Sequence, residues 1–480
     1  MSDANRVISE DTAAMMRACQ RGKNSVVQVL ISKGVDVNCE DEHKMTPIHY
    51  AVAGGHIEVV KYLCIKGADV EFRDPVGRSP LMLAASRGHK ITVRILISFK
   101  ADINAQDKDG FSSLNHAVFS QDHNKVGFLI TSGADPNLLS KEGKTALIYA
   151  CQNGHLGIVK TLITNGADVN IADKSGISPV MLAAKKGQSQ IVEALVDAGA
   201  DVLKENHAGM NALMFSAGNA DVAGLRRIME EDGVKVNHQS SEGITPLLLA
   251  CKKNFTPSIN FLLESGADPN IISEKGYSSL MTSVQNSNEV VVRALLDNGA
   301  DPNACYGSAV IDCVKFEMLT PVMLCCFRGD TNLLALLISK GGDVNKNTAF
   351  LTMGPIKIGG LTGLMAAAIK NKMEAVDLLV ENNVDLNARN DADTTALMLA
   401  VQKGHKVLVE ELLKAGADPN LQRLDGATAI IWAVQKRKLQ LVELLLKHEA
   451  DFNHKDKQGR SALDYAKLYK VPELINAFPS

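Results

Sequence analysis

A short polar residue followed by a Leu/Ala-rich run recurs along the whole chain. It falls at Thr46, Ser79, Ser112, Thr145, Ser178, Asn211, Thr245, Ser278, Thr320, Thr362, Thr395, Thr428 and Ser461. The spacing is 33 residues, except for one step of 34 into Thr245 and two of 42, into Thr320 and Thr362. One further step of 33 back from Thr46 reaches Ala13, giving 14 units with almost nothing left over. A fixed period of this length marks stacked supersecondary units.

Within a unit the pattern predicts two helices and a loop. Ser or Thr caps the first helix, and Pro follows it at Pro47, Pro80, Pro179, Pro246 and Pro321, where its φ suits the first turn. Five residues after the cap stands a small residue in every unit, such as Ala51, Ala150, Ser216, Cys325 and Ala433. Closely approaching helices demand this. Gly then allows the turn, and an aliphatic stripe such as Ile158, Val159, Leu162 and Ile163 predicts the second helix. Asp and Asn suit the loop that follows.

These words resemble the ankyrin repeat family. The clearest unit runs Thr46-Pro47-Ile48-His49-Tyr50-Ala51, then Gly55-His56, then Gly67-Ala68-Asp69, and similar words recur at Gly154-His155 and Gly404-His405. The resemblance implies an all-α repeat fold, an ankyrin solenoid of about 14 helix-turn-helix units with β-hairpin or loop fingers. The expected organisation is a leader at 1–12, repeats over 13–206, a divergent repeat at 207–240 that bends the array, and repeats over 241–303. A repeat flanked by two insertions follows at 304–361, and repeats again over 362–480. The divergent unit has Asn211 at its cap and lacks Gly-Ala-Asp.

Both 42-residue steps lengthen the finger side by nine residues. The added segments, 306–314 and 350–358, are rich in strand formers and Gly, and predict two elongated neighbouring fingers. Loops of this kind carry function or tolerate neutral insertion. Only 4% of residues are aromatic, which fits thin, closely packed helices. The net charge of −3 excludes a generally basic nucleic-acid binder. No secretory signal or membrane span is visible, and nine Cys suit a reducing cytoplasm better than a disulfide framework.

Catalytic and metal signatures are absent from the sequence: no phosphate loop, no HExxH, no CxxC pair, no nucleophile elbow. The Asp168–Asp173 segment lacks the Gly and the terminal Glu of a calcium loop. Histidines after Gly (His56, His89, His155, His405) fit the inter-helix turn. Cys19, Cys151, Cys251 and Cys326 share one column and fit core filling, while Cys305 and Cys313 lie at the first insertion. No cofactor or metal is expected, and no enzyme activity.

The family resemblance places partners on the hairpin tips and on the inner face of the first helices. Seven and eight residues after the caps, ten of 28 positions are basic and none acidic. The helix macrodipole also favours bases there. Just before the cap, six successive units are apolar, from Ile177 to Leu361. The candidate partner-binding residues are therefore Phe111, Phe119, Ile177, Lys185, Lys186, Met210, Ile244, Lys252, Lys253, Tyr277, Leu319, Phe327, Arg328 and Leu361. The expected function is a monomeric, non-catalytic scaffold or adaptor for protein partners with acidic and apolar extended segments, without nucleic acid. The alternative is a regulatory or inhibitory subunit occluding one enzyme. Asn38, Asn104, Asn170 and Asn345, each with Leu eight and Asp two residues earlier, resemble asparagine-hydroxylase substrates among ankyrin proteins, but a simple turn consensus is the dominant reading.

Overall fold

A computed structural model describes residues 10–311, 314–353 and 356–479, with backbone alone at 306–311, 314–316, 351–353 and 356–357. Most of the leader, residues 1–9, and Cys313 lie outside the described residues. Among the described residues the chain forms 28 helices, one pair for each predicted unit. It divides into two compact units, Met1–Lys235 and Val236–Ser480. The division falls inside the divergent repeat.

One repeat shows why the pairs form. Ser178 is extended, and its hydroxyl accepts from the Met181 N–H at 3.4 Å, starting the helix Pro179–Lys186. Gly187 ends it in the left-handed region at φ 68°. The helix buries Val180, Met181, Ala183 and Ala184, and packs against the first helices on either side, Ala146–Asn153 and Ala212–Ala217. Its partner helix, Ser189–Asp197, buries Ile191, Val192, Leu195 and Val196. Each such aliphatic side chain contributes about 1.5–3 kcal/mol when buried. The small-residue column is fully enclosed: Ala51, Ala84, Ala117, Ala150, Ala183 and Ala400 are all 0% exposed. The divergent repeat keeps its cap, since the Asn211 side chain accepts from the Met214 N–H at 3.1 Å.

Neighbouring repeats are tied by a ladder of Asn side chains. The Asn137 amide donates to the Gly166 carbonyl at 3.4 Å, and its Oδ1 accepts from the Asp168 N–H at 2.8 Å. The same two-pronged contact joins Asn38 to Gly67 and Asp69, Asn104 to Gly133 and Asp135, and Asn170 to Gly199 and Asp201. In the second unit it joins Asn270 to Gly299 and Asp301, and Asn420 to Glu449 and Asp451. Glu71 replaces Asn and still accepts from the Asp102 N–H at 2.7 Å. At Leu203 and Lys235 the Asn and Asp of a rung are both replaced, and Leu203 has no polar atom to offer. The boundary between the compact units lies directly after Lys235.

The fingers follow the same economy. Asp74 accepts from the Val76 and Arg78 N–H groups at 3.1 and 2.8 Å, closing a tight loop. Successive fingers touch backbone to backbone, as Lys141 N–H donates to the Asp109 carbonyl at 2.9 Å. At Gly110 (φ 79°) a Cβ would lie 2.7 Å from the Lys141 nitrogen, so a side chain there would push the fingers apart.

The two insertions form one structure rather than two separate fingers. Strands β1 (Tyr306–Ile311) and β2 (Val314–Leu319) make the first hairpin, and β3 (Ala349–Met353) and β4 (Ile356–Leu361) the second. β2 pairs with β3 antiparallel, Phe316 opposite Leu351, giving a four-stranded sheet in the order β1-β2-β3-β4. The ladder is undisturbed: Asn303 still reaches Gly341 at 2.9 Å and Asp343 at 2.7 Å.

Lys125 breaks the aliphatic pattern. It stands where other repeats place Ile158, Val291 or Leu408, and is 1% exposed. Its ammonium donates to the Ala85 carbonyl at 2.8 Å and to the Ser120 hydroxyl. Burial lowers its pKa below the usual lysine value.

Two predictions follow from the ladder and from Lys125. Asn137→Ala should lower the unfolding free energy by about 1–2 kcal/mol in urea titration, from two lost hydrogen bonds. Asn453→Ala, at an exposed position where the backbone N–H makes the bond to Asp451, should change it by less than about 0.5 kcal/mol. For Lys125, the unfolded chain binds the proton more tightly than the folded one. Its contribution to stability therefore rises with pH, up to the unperturbed value of 10.5. Lys125→Met should melt at higher temperature than the natural protein at neutral pH, and the gap should narrow as pH rises toward 10.5.

Candidate partner-binding face

In the first compact unit the fingers and first helices assemble an aromatic platform. Phe111 sits on a finger just before the cap Ser112, and Phe119 ends the helix Ser113–Phe119. Tyr149 comes from the next first helix, Ala146–Asn153. The three rings meet edge to face: Phe111–Phe119 at 5.2 Å, Phe119–Tyr149 at 5.2 Å and Phe111–Tyr149 at 5.5 Å between centroids. Such pairs contribute about 0.5–1.5 kcal/mol beyond their buried area. Tyr149 is buried, Phe111 half-buried and Phe119 38% exposed, so the platform presents an apolar rim to solvent.

A polar frame holds the rings. Asp107 accepts from the Asp109 and Phe111 N–H groups at 3.0 and 2.9 Å and meets His116 Nε2 at 2.9 Å. Burial lowers the His116 pKa below the ordinary histidine value despite the Asp107 carboxylate, so the ring is largely neutral at neutral pH. The Tyr149 hydroxyl bonds Ser140 at 3.0 Å, and the Lys144 ammonium lies 5.6 Å from its ring centre. Burial raises the Tyr149 pKa.

His116 and Tyr149 are functional candidates that the column reading missed. Their signal was present: an aromatic residue four after the cap, paired with a residue nine positions earlier. Tyr50 with Asp41, His116 with Asp107, Tyr149 with Ser140 and Tyr465 with Asp456 all follow this rule.

The remaining sequence candidates fall into two groups. Lys185 and Lys186 are exposed in the first unit, with the Lys185 ammonium 5.9 Å from the Phe215 ring centre, and Ile177 and Met210 are half-buried on their fingers. In the second unit Lys252, Lys253, Arg328 and Tyr277 are exposed and Ile244 is half-buried. Arg328 donates to the Gln285 carbonyl at 2.7 Å, which ties down its guanidinium. Leu319, Leu361 and Phe327 are corrections. They are 1%, 4% and 3% exposed, so none offers a surface to a partner. Leu319 and Leu361 end β2 and β4 at the base of the sheet, where Ala349 is also buried. Phe327 is covered by Lys370, whose ammonium lies 4.5 Å from its ring centre.

Two histidines of the inter-helix turn, His56 and His405, have a structural task. His56 Nε2 meets the Gln20 carbonyl at 2.9 Å, and His405 Nε2 meets that of Ile369 at 3.4 Å, each at the end of the preceding repeat's first helix. Lys125, Asn219 and Asn286 serve the same type of carbonyl in their repeats. Among the described residues, no cluster of His, Cys, Asp or Glu could hold a metal ion, and no helix is long and apolar enough to cross a membrane.

The cysteines of the column, and with them Cys64 and Cys325, are buried. Burial pushes the Cys19 thiol up to about 12 and those of Cys64 and Cys251 to about 11, with Cys151, Cys325 and Cys326 also raised. Iodoacetamide at neutral pH should therefore leave Cys151, Cys251, Cys325 and Cys326 unmodified in the folded protein and alkylate them in denaturant, as read by peptide mass mapping.

The chain matches the family model for ankyrin repeats (three copies) at residues 1–74, 66–139, 114–206, 213–305, 322–423 and 397–477. The curated 2-5A-dependent ribonuclease of Mus musculus is 39% identical over 56 residues, 12% of this chain, and the matched segment spans only 8% of that relative's length. Among solved structures, the ankyrin repeat domain of Bcl-3, described as a unique member of the IkappaB protein family, is 27% identical with a TM-score of 0.42. That match covers 45% of this chain and 97% of that one. The human ASB11 ankyrin repeat domain is 25% identical with a TM-score of 0.41, over 46% of this chain and 98% of that one. Repeat spacing, helix pairing and family match agree: the chain belongs to the ankyrin repeat family.

Proposed function

We propose that the chain is a non-catalytic scaffold or adaptor that holds a protein partner on the finger and first-helix face of its repeats. The observation that carries this reading is the platform of Phe111, Phe119 and Tyr149. Periodic positions explain the core, but core packing does not require Phe119 to stand 38% exposed. Aromatic rings on a rigid frame bury a large area at low entropy cost, which suits a binding anchor. Ile177 and Met210 extend apolar surface along neighbouring fingers, and Lys185 and Lys186 add positive charge that suits an acidic-apolar partner segment.

The test is affinity purification from the native source with quantitative mass spectrometry. Phe119→Ala combined with Lys185→Glu and Lys186→Glu should reduce capture of at least one protein about tenfold, with the helical circular dichroism of the folded protein retained. Equal capture by a folded variant would overturn the reading. Several partners recovered together fit a scaffold. One stoichiometric enzyme, inhibited on binding, would instead identify a regulatory subunit.

A further inference from the structure

The two outer edges of the four-stranded sheet differ in how their backbone groups are used. Each hairpin closes over two residues, Ile311 pairing with Val314 and Met353 with Ile356. In a two-residue hairpin the closing pair exchanges hydrogen bonds, and bonded and non-bonded pairs then alternate along the strands. In β4, Ile356 and Ile358 therefore bond to β3, and the backbone groups of Lys357 and Gly359 point away from it. The Gly359 carbonyl accepts from the Asp391 N–H of the next finger at 3.0 Å, as this alternation requires. In β1, Ile311 and Ala309 bond to β2, which turns the N–H and C=O of Tyr306, Ser308 and Val310 outward.

Proteins blunt an exposed sheet edge with Lys, Pro, a bulge or a covering loop. The β3–β4 side has three of these devices. Lys357 holds one outward position, the Asp391 finger covers Gly359, and the register shifts between Ala349 and Leu351. β1 reads Tyr-Gly-Ser-Ala-Val-Ile, without a charge and without Pro. It stands last in the sheet order, and the finger before it, residues 273–277, holds no strand to pair with it.

A row of alternating N–H and C=O groups is matched by another extended strand. β1 is its own complement. A two-fold axis through Ser308 sets Ser308 opposite Ser308 of a second copy and Tyr306 opposite its Val310, each with outward backbone groups. These opposed residues exchange about six hydrogen bonds. Aromatic with β-branched, and hydroxyl with hydroxyl, are stabilising cross-strand pairs. On a two-fold axis a charged residue meets its own copy and repels it, and β1 has none to do so.

We propose that two copies of this chain associate through β1, antiparallel about Ser308, joining four strands from each into one continuous sheet. The contact belongs to the second compact unit and does not depend on the aromatic platform.

The test is sedimentation velocity on the full chain. Six residues a side make a small interface, so the loading concentrations run from about 1 to 300 μM. The natural protein should pass from monomer to dimer across this range. Ser308→Lys and Ser308→Glu each set like charges opposite one another and should weaken the dimer about tenfold. Mixed in equal parts, the two variants should pair again, Lys against Glu. Ser308→Pro removes one outward N–H, leaves the hairpin bonds in place, and should also remain monomeric. Phe119→Ala should dimerise as the natural protein does. A natural protein that is monomeric at the highest concentration would overturn the proposal. So would a dimer that survives undiminished in Ser308→Lys and Ser308→Glu, or a mixture of the two that stays monomeric.

Discussion

Each helix pair in this chain is too thin to enclose a core, so register between neighbours is the constraint from which the rest follows. The Asn side chain supplies that register with one donor and one acceptor, both satisfied by the backbone of the next repeat. A single rung contributes only about 1–2 kcal/mol, because its groups can also bond water. Repeated, it keeps the small-residue column aligned so that first helices approach closely and the aliphatic stripes face each other. The rung that Leu203 and Lys235 lack lies within the first unit.

Once packing and register use the periodic positions, departures from period become informative. Lys125 in an aliphatic column and Phe119 at a helix end are departures of two kinds. The first is absorbed internally, its ammonium bonded to Ala85 and Ser120. The second joins other rings but leaves an edge in solvent.

The fold was almost fully legible in the sequence, because caps, small residues and turn residues act locally and recur often enough to be aligned against each other. The candidate face was legible only in part. Distance from the cap singled out Phe111 and Phe119, whose rings meet, and the exposed Lys185, but it carried no information on what covers a position. Leu319 and Leu361 share the finger column with Met210, yet strand pairing encloses them, and pairing between two separate insertions is not a local property. Phe327 was lost to view because its cover, Lys370, lies a full repeat away. His116 and Tyr149 required pairing two columns nine residues apart rather than reading one.

The four-stranded sheet links two stretches of chain that the repeat pattern treats as independent. Because β2 pairs with β3, the lengths of the two hairpins are matched, nine added residues against nine. Lengthening one alone would leave a row of backbone donors and acceptors open at an inner strand, an invitation to pair with another chain. Insertion or deletion at either site is therefore constrained by the other, so the two fingers change length together or not at all.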